Sequence, residues 1–351
     1  MKPLDQLNWE PRVLQDEFDC AKGVYLQTDS IIDGDIPYVT AKAGGNGLNR
    51  FIGNRVLFPG NQLTIEKVRL SAYYQPAPFY CSHDVSTLTN SSLNAENAQF
   101  LATMVMRNGA KYSYGRQAQL DVVKREKVFL PTTSGGDVDY DYMEQYSAQT
   151  RERLLERYQS ILRSRLSELE HHDIPELSEK DWAEFPLNEV FAVKSGVRLT
   201  TADKTPGQRP FIGATDNTNG VTGFVSNENA SLDSNVLGVN YNGAPCIAFY
   251  HPYEAVFTDD VKRLKLLHHD NNALVLLFCK VVVMQQRAKY SYGYKFNAGR
   301  MARQLLMFPV TDGGDIDYEY MEKYAENMLL RKYRQYSDYL ASLLETDAEE
   351  D

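Results

Sequence analysis

No pair of cysteines in this chain has the spacing of a redox or zinc motif. Cys20, Cys81, Cys246 and Cys279 are scattered through 351 residues, which points to a reducing compartment and excludes a disulfide-stapled fold. Long apolar runs are missing as well. The longest, Ala273–Cys279 with Val281–Met284, is interrupted by Lys280 and is too short to span a bilayer. The start, Met1-Lys2-Pro3-Leu4-Asp5, has no signal-peptide core. The expectation is a cytoplasmic chain with no membrane association. Positive charge is in deficit, with 37 Lys and Arg against 47 Asp and Glu and a net charge of −10. That counts against a simple nucleic-acid binder, which is usually basic. Residues 346–351 read as a solvated acidic tail that carries part of the excess.

Catalytic signatures are absent in turn. No glycine-rich cofactor turn is joined to an Asn/Asp-Pro-Pro-aromatic loop, which an adenine amino-methyltransferase needs. Gln75-Pro76-Ala77-Pro78-Phe79-Tyr80 lacks the acceptor and has no second copy, so it reads as a turn. Ala43-Gly44-Gly45-Asn46-Gly47 has neither dinucleotide-binding spacing nor a phosphate-loop lysine. Cys81 and His83 form the one Cys/His pair at ligand spacing, without a second pair to complete a zinc site. Asp137, Asp139, Asp141 and Glu144 crowd the start of a helix, where acids are favoured on electrostatic grounds alone. The expectation is no catalytic residue, no metal and no cofactor in this chain.

What is present is a duplication. Lys111-Tyr112-Ser113-Tyr114-Gly115 recurs as Lys289-Tyr290-Ser291-Tyr292-Gly293. Pro131 to Glu144 recurs as Pro309 to Glu322, at the same offset of 178. Over the roughly 50 residues from Lys111 to Leu162, about 20 are identical without a gap. Upstream, Phe18–Gly23 aligns with Phe191–Gly196, and Ile36–Ala41 with Arg209–Ala214. Between these islands the halves differ, a pattern suited to two reading heads on one scaffold rather than to one composite active site.

The pattern predicts an α+β chain of two tandem β-rich recognition domains, each followed by a long helix. The expected boundaries are 1–138 and 182–316 for the domains, 139–172 and 317–345 for the helices, and 173–181 for the linker. Ile36–Thr40, Val56–Phe58, Ala244–Tyr250 and Glu254–Phe257 read as strands, and Ala95–Met106 and Asn272–Met284 as helices. Gly135-Gly136 and Gly313-Gly314 break the chain before the long helices, with Asp139 or Asp317 as the cap. Helices of roughly 30 residues, about 45 Å long, with an apolar seam, predict an antiparallel coiled-coil pair. Leu154, Tyr158 and Leu162 on the first helix, and Met328, Tyr336 and Leu340 on the second, are the candidate pairing and partner-docking positions.

Base readout calls for Arg, Lys, Asn and Gln in variable loops, since these side chains form bidentate contacts with guanine and adenine. The first copy offers Lys42, Asn46, Asn49 and Arg50. The second offers Arg198, Lys204, Gln208, Arg209, Asn217 and Asn219. The shared motif adds Lys111, Tyr112, Tyr114 and Arg116, and Lys289, Tyr290, Tyr292 and Lys295, as contacts to phosphate or as pieces of scaffold. A motif identical in both copies cannot by itself read two sequences.

The two-copy layout resembles the specificity subunits of type I restriction-modification systems and the similar subunits of type IIB systems. Trp182 to Phe191 with Ser195-Gly196, the Ile36–Ala41 strand followed by Asn46-Gly47, and the long helix after each module carry the likeness. It covers nearly the whole chain. It implies two target recognition domains, each reading half of a split site in double-stranded DNA, with paired helices as a ruler. It further implies DNA adenine methyltransferase subunits docked on those helices, a fused or separate nuclease, and S-adenosylmethionine and Mg in the partners. The chain departs from the usual Leu-Pro-Pro-x-x-Glu-Gln approach to the helix, having Gly135-Gly136-Asp137 and Gly313-Gly314-Asp315, which leaves type I and type IIB both open. A duplicated binding or adaptor module not acting on DNA is the alternative that the residues alone allow.

Overall fold

The computed structural model describes residues 1–291 and 293–349, the side chains of 343–349 excepted. The chain divides into two compact units, Met1–Tyr158 and Gln159–Asp351. In the first copy the order is β1 (Asn8–Val13), α1 (Leu14–Glu17), β2 (Asp19–Lys22), β3 (Ile36–Val39), β4 (Leu48–Ile52), β5 (Gln62–Glu66) and β6 (Ala72–Gln75). Then come β7 (Tyr80–Cys81), β8 (Val85–Thr89), α2 (Ala95–Met106), α3 (Leu120–Arg125), β9 (Lys127–Thr132) and α4 (Tyr140–Glu168). The second copy repeats that order: β10 (Trp182–Pro186), α5 (Leu187–Val190), β11 (Phe191–Ser195), β12 (Pro206–Ile212), β13 (Val221–Val225), β14 (Val236–Asn240) and β15 (Ala248–His251). It ends with β16 (Val256–Phe257), β17 (Val261–Leu266), α6 (Ala273–Met284), α7 (Ala298–Arg303), β18 (Leu305–Pro309) and α8 (Tyr318–Glu349).

Among the described residues each copy has three sheets. In the first they run β1-β9, β2-β8-β5-β6 and β4-β3-β7; in the second, β10-β18, β11-β17-β14-β15 and β13-β12-β16. All pairings are antiparallel except β3 with β7 and β12 with β16. The main core lies between the four-stranded sheet and the following helix. Leu63, Ile65 and Leu88 meet Leu101 and Val105 in the first copy; Leu237, Val239 and Leu264 meet Leu276 and Val283 in the second. Each such side chain, fully buried, contributes about 1.5–3 kcal/mol. The short three-stranded sheet has its own small core, Val39 with Phe79, Cys81 and Val85 in copy one.

Local chemistry explains where the helices start. Asn94 forms a capping box with Asn97, and Asn272 accepts from the Leu274 and Val275 amides. The same two asparagines reach the long helices, Asn94 Nδ2 to Glu144 and Asn272 Nδ2 to Glu322, both at 2.6 Å. Asp139 and Asp317 cap α4 and α8, accepting from Tyr142 N at 2.9 Å and Tyr320 N at 3.0 Å. Asp139, Asp317, Glu144 and Glu322 are thus engaged in capping and cross-links. Among the described residues no three His, Cys, Asp or Glu converge as a metal-holding group.

Several expectations need correction. Val56–Phe58 is not a strand; it makes one bridge, Phe58 to Phe79, and Pro59-Gly60 end the extended run. The strand expected from Ala244 starts at Ala248, because Pro245 has no amide hydrogen and Cys246 adopts φ +63°. The strand expected from Glu254 is only Val256–Phe257. The helix expected to stop at 345 continues to Glu349, since nothing in that stretch breaks a helix; residues 350 and 351 of the expected tail lie outside the described residues.

The segment expected as a linker has a counterpart. Tyr320 donates its hydroxyl to Pro175 O as Tyr142 does to Lys2 O, and Trp182 Nε1 donates to Leu177 O as Trp9 does to Leu4 O. Residues 175–181 therefore occupy the place of 2–8, and the duplication reaches the front of the chain. Within the second unit, the last turns of α4 and the residues after them run antiparallel to α8. Leu162 and Leu166 share a cleft with Leu340 and Ala341, and further along Glu170 N donates to Glu326 and His172 N to Asn327.

Candidate nucleic-acid interface

The candidate readers of copy one sit on the three-stranded sheet. Lys42 and Asn46 lie in the turn from β3 to β4, and Asn49 and Arg50 on β4, which is an edge strand. All four are exposed. Asn46 adopts φ +55°, a left-handed conformation that asparagine tolerates better than most residues. Its Nδ2 donates to Tyr74 O and Gln75 Oε1, so it holds the turn against β6. Lys42 Nζ donates to Leu48 O and Arg50 Nε to Asn49 Oδ1; both are exposed, loosely held contacts.

Asn219 is the counterpart of Asn46, with φ +52°. It is held differently: Nδ2 donates to the Tyr253 hydroxyl, which lies 3.3 Å from His251 Nδ1. His251 occupies the place of Gln75 at the end of the equivalent strand and is fully buried. Burial pushes its imidazole down to about 4. Gly238, on β14 two residues beyond the Val236 that pairs with His251, leaves room for the ring, since a Cβ there would come within 2.8 Å of His251 Nε2. Copy one has Thr64 at that place, and its hydroxyl accepts from Gln75.

Among the other candidates of copy two, Arg198, Gln208 and Asn217 are exposed. Asn217 donates to Asp216, and Lys204 lies 4.2 Å over the Phe211 ring. Arg209 is engaged within the protein. Its guanidinium donates to Glu254, Glu228 and the carbonyls of Ser226 and Asn227. A guanidinium with those bonds made has little left to offer a base edge, so the place expected for it as a reader is a brace instead.

The shared motif divides into an inner and an outer part. Lys111 pairs with Glu126 at 2.6 Å, and Tyr112 is buried with its hydroxyl on the same carboxylate. Burial, then that hydrogen bond, pushes the Tyr112 phenol up to about 12. In copy two Gln304 stands where Glu126 stands, and Tyr290 donates to it at 2.7 Å. The Tyr112 and Tyr290 hydroxyls thus hold the scaffold. Tyr114 is the outer part: it projects from the tight Ser113–Arg116 turn and is 84% exposed. Its counterpart Tyr292 lies outside the described residues. Arg116 lies over the Tyr112 ring, Lys289 is exposed, with the uncharged Gln304 at the place of Glu126, and Lys295 is half-buried.

Of the docking positions, Leu154, Tyr158 and Tyr336 are exposed and Met328 is half-buried, while Leu162 and Leu340 are buried at 5% and 3% exposure. One pair escaped the sequence expectations. Phe51 and Phe224 occupy the same position on the edge strands β4 and β13, 52% and 59% exposed, each opposite a proline. Continuing the upstream alignment to Leu48–Asn54 and Val221–Asn227 identifies them.

Three comparisons bear on this arrangement. The family model described as the type I restriction modification DNA specificity domain matches twice, over residues 6–160 and 179–335. The specificity subunit of a type II restriction enzyme from Heyndrickxia coagulans (BgcI specificity subunit S.BcgI) is 41% identical over 297 residues, covering 83% of this chain and 85% of that one. The crystal structure of a type I restriction-modification S subunit from M. genitalium superposes with a TM-score of 0.53 at 15% identity, covering 98% of this chain and 95% of that one. No helix among the described residues is long and apolar enough to cross a membrane.

Proposed function

The chain belongs to the type I restriction modification DNA specificity domain family and is a non-catalytic specificity subunit of a restriction-modification system, and from that premise we propose that it reads a bipartite target in double-stranded DNA, one copy per half-site. The carrying observation is the duplication with divergence. The same strands, caps and anchors recur in both copies, while exposed residues around them differ, Lys42, Asn49 and Arg50 in copy one standing where Thr215, Thr222 and Gly223 stand in copy two. An identical scaffold holds; different surfaces discriminate.

DNA adenine methyltransferase subunits dock on α4 and α8 in this reading, using exposed positions such as Leu154, Tyr158 and Tyr336. S-adenosylmethionine and Mg belong to those partners, with nuclease activity fused to them or separate, and the assembly works in the cytoplasm. The identity to a type II enzyme's specificity subunit over most of the chain favours the compact type IIB arrangement. Partners that enclose the DNA supply phosphate contacts, which accommodates a net charge of −10.

The test is a module exchange. Replacing Leu7–Lys111 with the equivalent module of a relative, in the chain co-expressed with its methyltransferase, changes one half of the methylated sequence. The other half and the spacer persist. Methylome sequencing reads both. A change in both halves together refutes independent reading.

A further inference from the structure

Residues 24–35, between β2 and β3, align without a gap at an offset of 173 with residues 197–208, which follow β11 and run into the first three residues of β12; each stretch is twelve residues. Both are anchored by the same six hydrogen bonds. At the front, Gly23 N donates to Val85 O and Val24 N to Cys81 O, matched by Gly196 N to Val261 O and Val197 N to Phe257 O. In the middle, Ser30 N donates to Gln27 O, matched by Asp203 N to Thr200 O. At the back, Gly53 N donates to Ile32 O, matched by Ser226 N to Thr205 O.

The last two bonds come from one asparagine. Asn54 accepts from Ile32 N at 3.1 Å and donates to Ser30 O at 2.9 Å; Asn227 accepts from Thr205 N at 2.8 Å and donates to Asp203 O at 3.0 Å. Close approach fixes the rest. A Cβ on Gly34 would come within 2.5 Å of Gly53 Cα, and one on Gly207 within 2.3 Å of Ser226 N. Leu26 and Leu199 both turn partly inward.

Against this common backbone the outward side chains differ. Tyr25, 63% exposed, stands where Arg198 stands in the other copy, and Ile32 where Thr205 stands. A loop held this tightly for packing alone would not need exposed Tyr25 and Ile32, which bury little.

We propose that these two loops are the exchangeable reading elements of the copies, that Tyr25 and Arg198 are equivalent contact residues for DNA, and that Asn54 and Asn227 are the positioning residues that hold the loops. The proposal rests on the half-site reading above. Arginine in such a place makes a bidentate contact with guanine; tyrosine offers a ring face and one hydroxyl. The two positions therefore prefer different bases.

The test transplants the sequence of 197–208 into 24–35 in the full chain, co-expressed with its methyltransferase. The half-site of copy one changes, and the half-site of copy two and the spacer do not. Asn54→Ala is the second arm. It lowers discrimination in the copy-one half-site roughly tenfold, the scale of one good base contact, with copy two unaffected. Asn54→Asp, which keeps the acceptor for Ile32 N, falls between. A transplanted chain that assembles and methylates the original sequence overturns the proposal; so does an Asn54→Ala effect shared equally by both half-sites. A wild-type complex that methylates no two-part sequence refutes the half-site reading instead.

Discussion

His251 gives the second copy an acid sensitivity at a place where the first copy has the untitratable Gln75. Its imidazole is fully buried, with Nε2 unpartnered, and burial holds it down at about 4 against an ordinary value near 6.5. The folded state keeps the ring neutral while the unfolded chain takes up a proton as pH falls below about 6.5. Stability is therefore whole above that pH and is lost as pH falls toward 4. The slope is about 1.4 kcal/mol per pH unit, and the total is on the order of 3 kcal/mol. The carboxyls of Asp233, Asp317 and Glu326 do not share this window. Burial alone would raise each, but Lys265, Lys180 and the Glu170 amide with His172, respectively, outweigh it and hold each below its usual range. Their contributions are present above about pH 4 and are lost only below it.

The assay follows from the two tryptophans, one in each copy. With Trp9→Phe, emission reports Trp182, which stacks near Phe278 in the core of copy two. Urea midpoints taken from pH 7 to 4.5 fall in that background. His251→Gln, with the residue that copy one uses at this place, removes the slope, and the Trp182→Phe chain, reporting copy one, shows none of it. A flat profile for the wild-type second copy, or an unchanged slope in His251→Gln, refutes the burial account.

The remaining predictions concern assembly. Calorimetry on the purified chain shows no binding of S-adenosylmethionine; stoichiometric binding overturns the partner-borne chemistry. Leu162→Asp places a charge at a buried position beside Leu340 and costs several kcal/mol, read as a lower unfolding midpoint. Leu154→Asp with Tyr158→Asp, at exposed positions, leaves that midpoint within about 1 kcal/mol and weakens methyltransferase capture; unchanged capture removes these residues from the docking surface. Four residues inserted near Leu155 lengthen α4 by about one turn and alter the spacer with both half-sites retained, which sequencing of the methylated sites checks.

Much of the scaffold was legible because its signals are local. The caps Asp139 and Asp317 precede their helices directly, and α2 is bounded by Asn94 and a clear apolar period. Repetition doubled each signal. Sheet order was not legible: β2 pairs with β8 across more than sixty residues, and β3 with β7 in parallel, through partners that no turn dictates. The candidate site was read in part. Asn46 and Asn219 were visible as polar turn residues, but their roles depend on Gln75 and Tyr253, which are brought in by folding. Arg209 looked like a free cation because Glu228 and Glu254 lie 19 and 45 residues further on. Tyr25, Asn54 and the two exposed phenylalanines carry no chemistry-bearing motif, and only the matched anchors of the two copies bring them forward.

Strands β1 and β9 pair along their length, Asn8 beside Thr132 and Val13 beside Lys127, and β10 and β18 do the same. The chain thus comes into and goes out of each copy through one two-stranded ribbon, its two crossings about 5 Å apart. A replacement for what lies between them has to bring its ends together at that spacing and keep the groups that meet the following helix, Asn94 at Glu144 in copy one and Asn272 at Glu322 in copy two. The segments around Gly135-Gly136 and Gly313-Gly314 are closely alike, whereas those around Trp9 and Trp182 share little beyond the tryptophan, Leu14 with Leu187 and Phe18 with Phe191. Under the half-site reading proposed above, a new target sequence is acquired by exchanging a copy at this ribbon, with no gradual passage through a subunit that reads nothing.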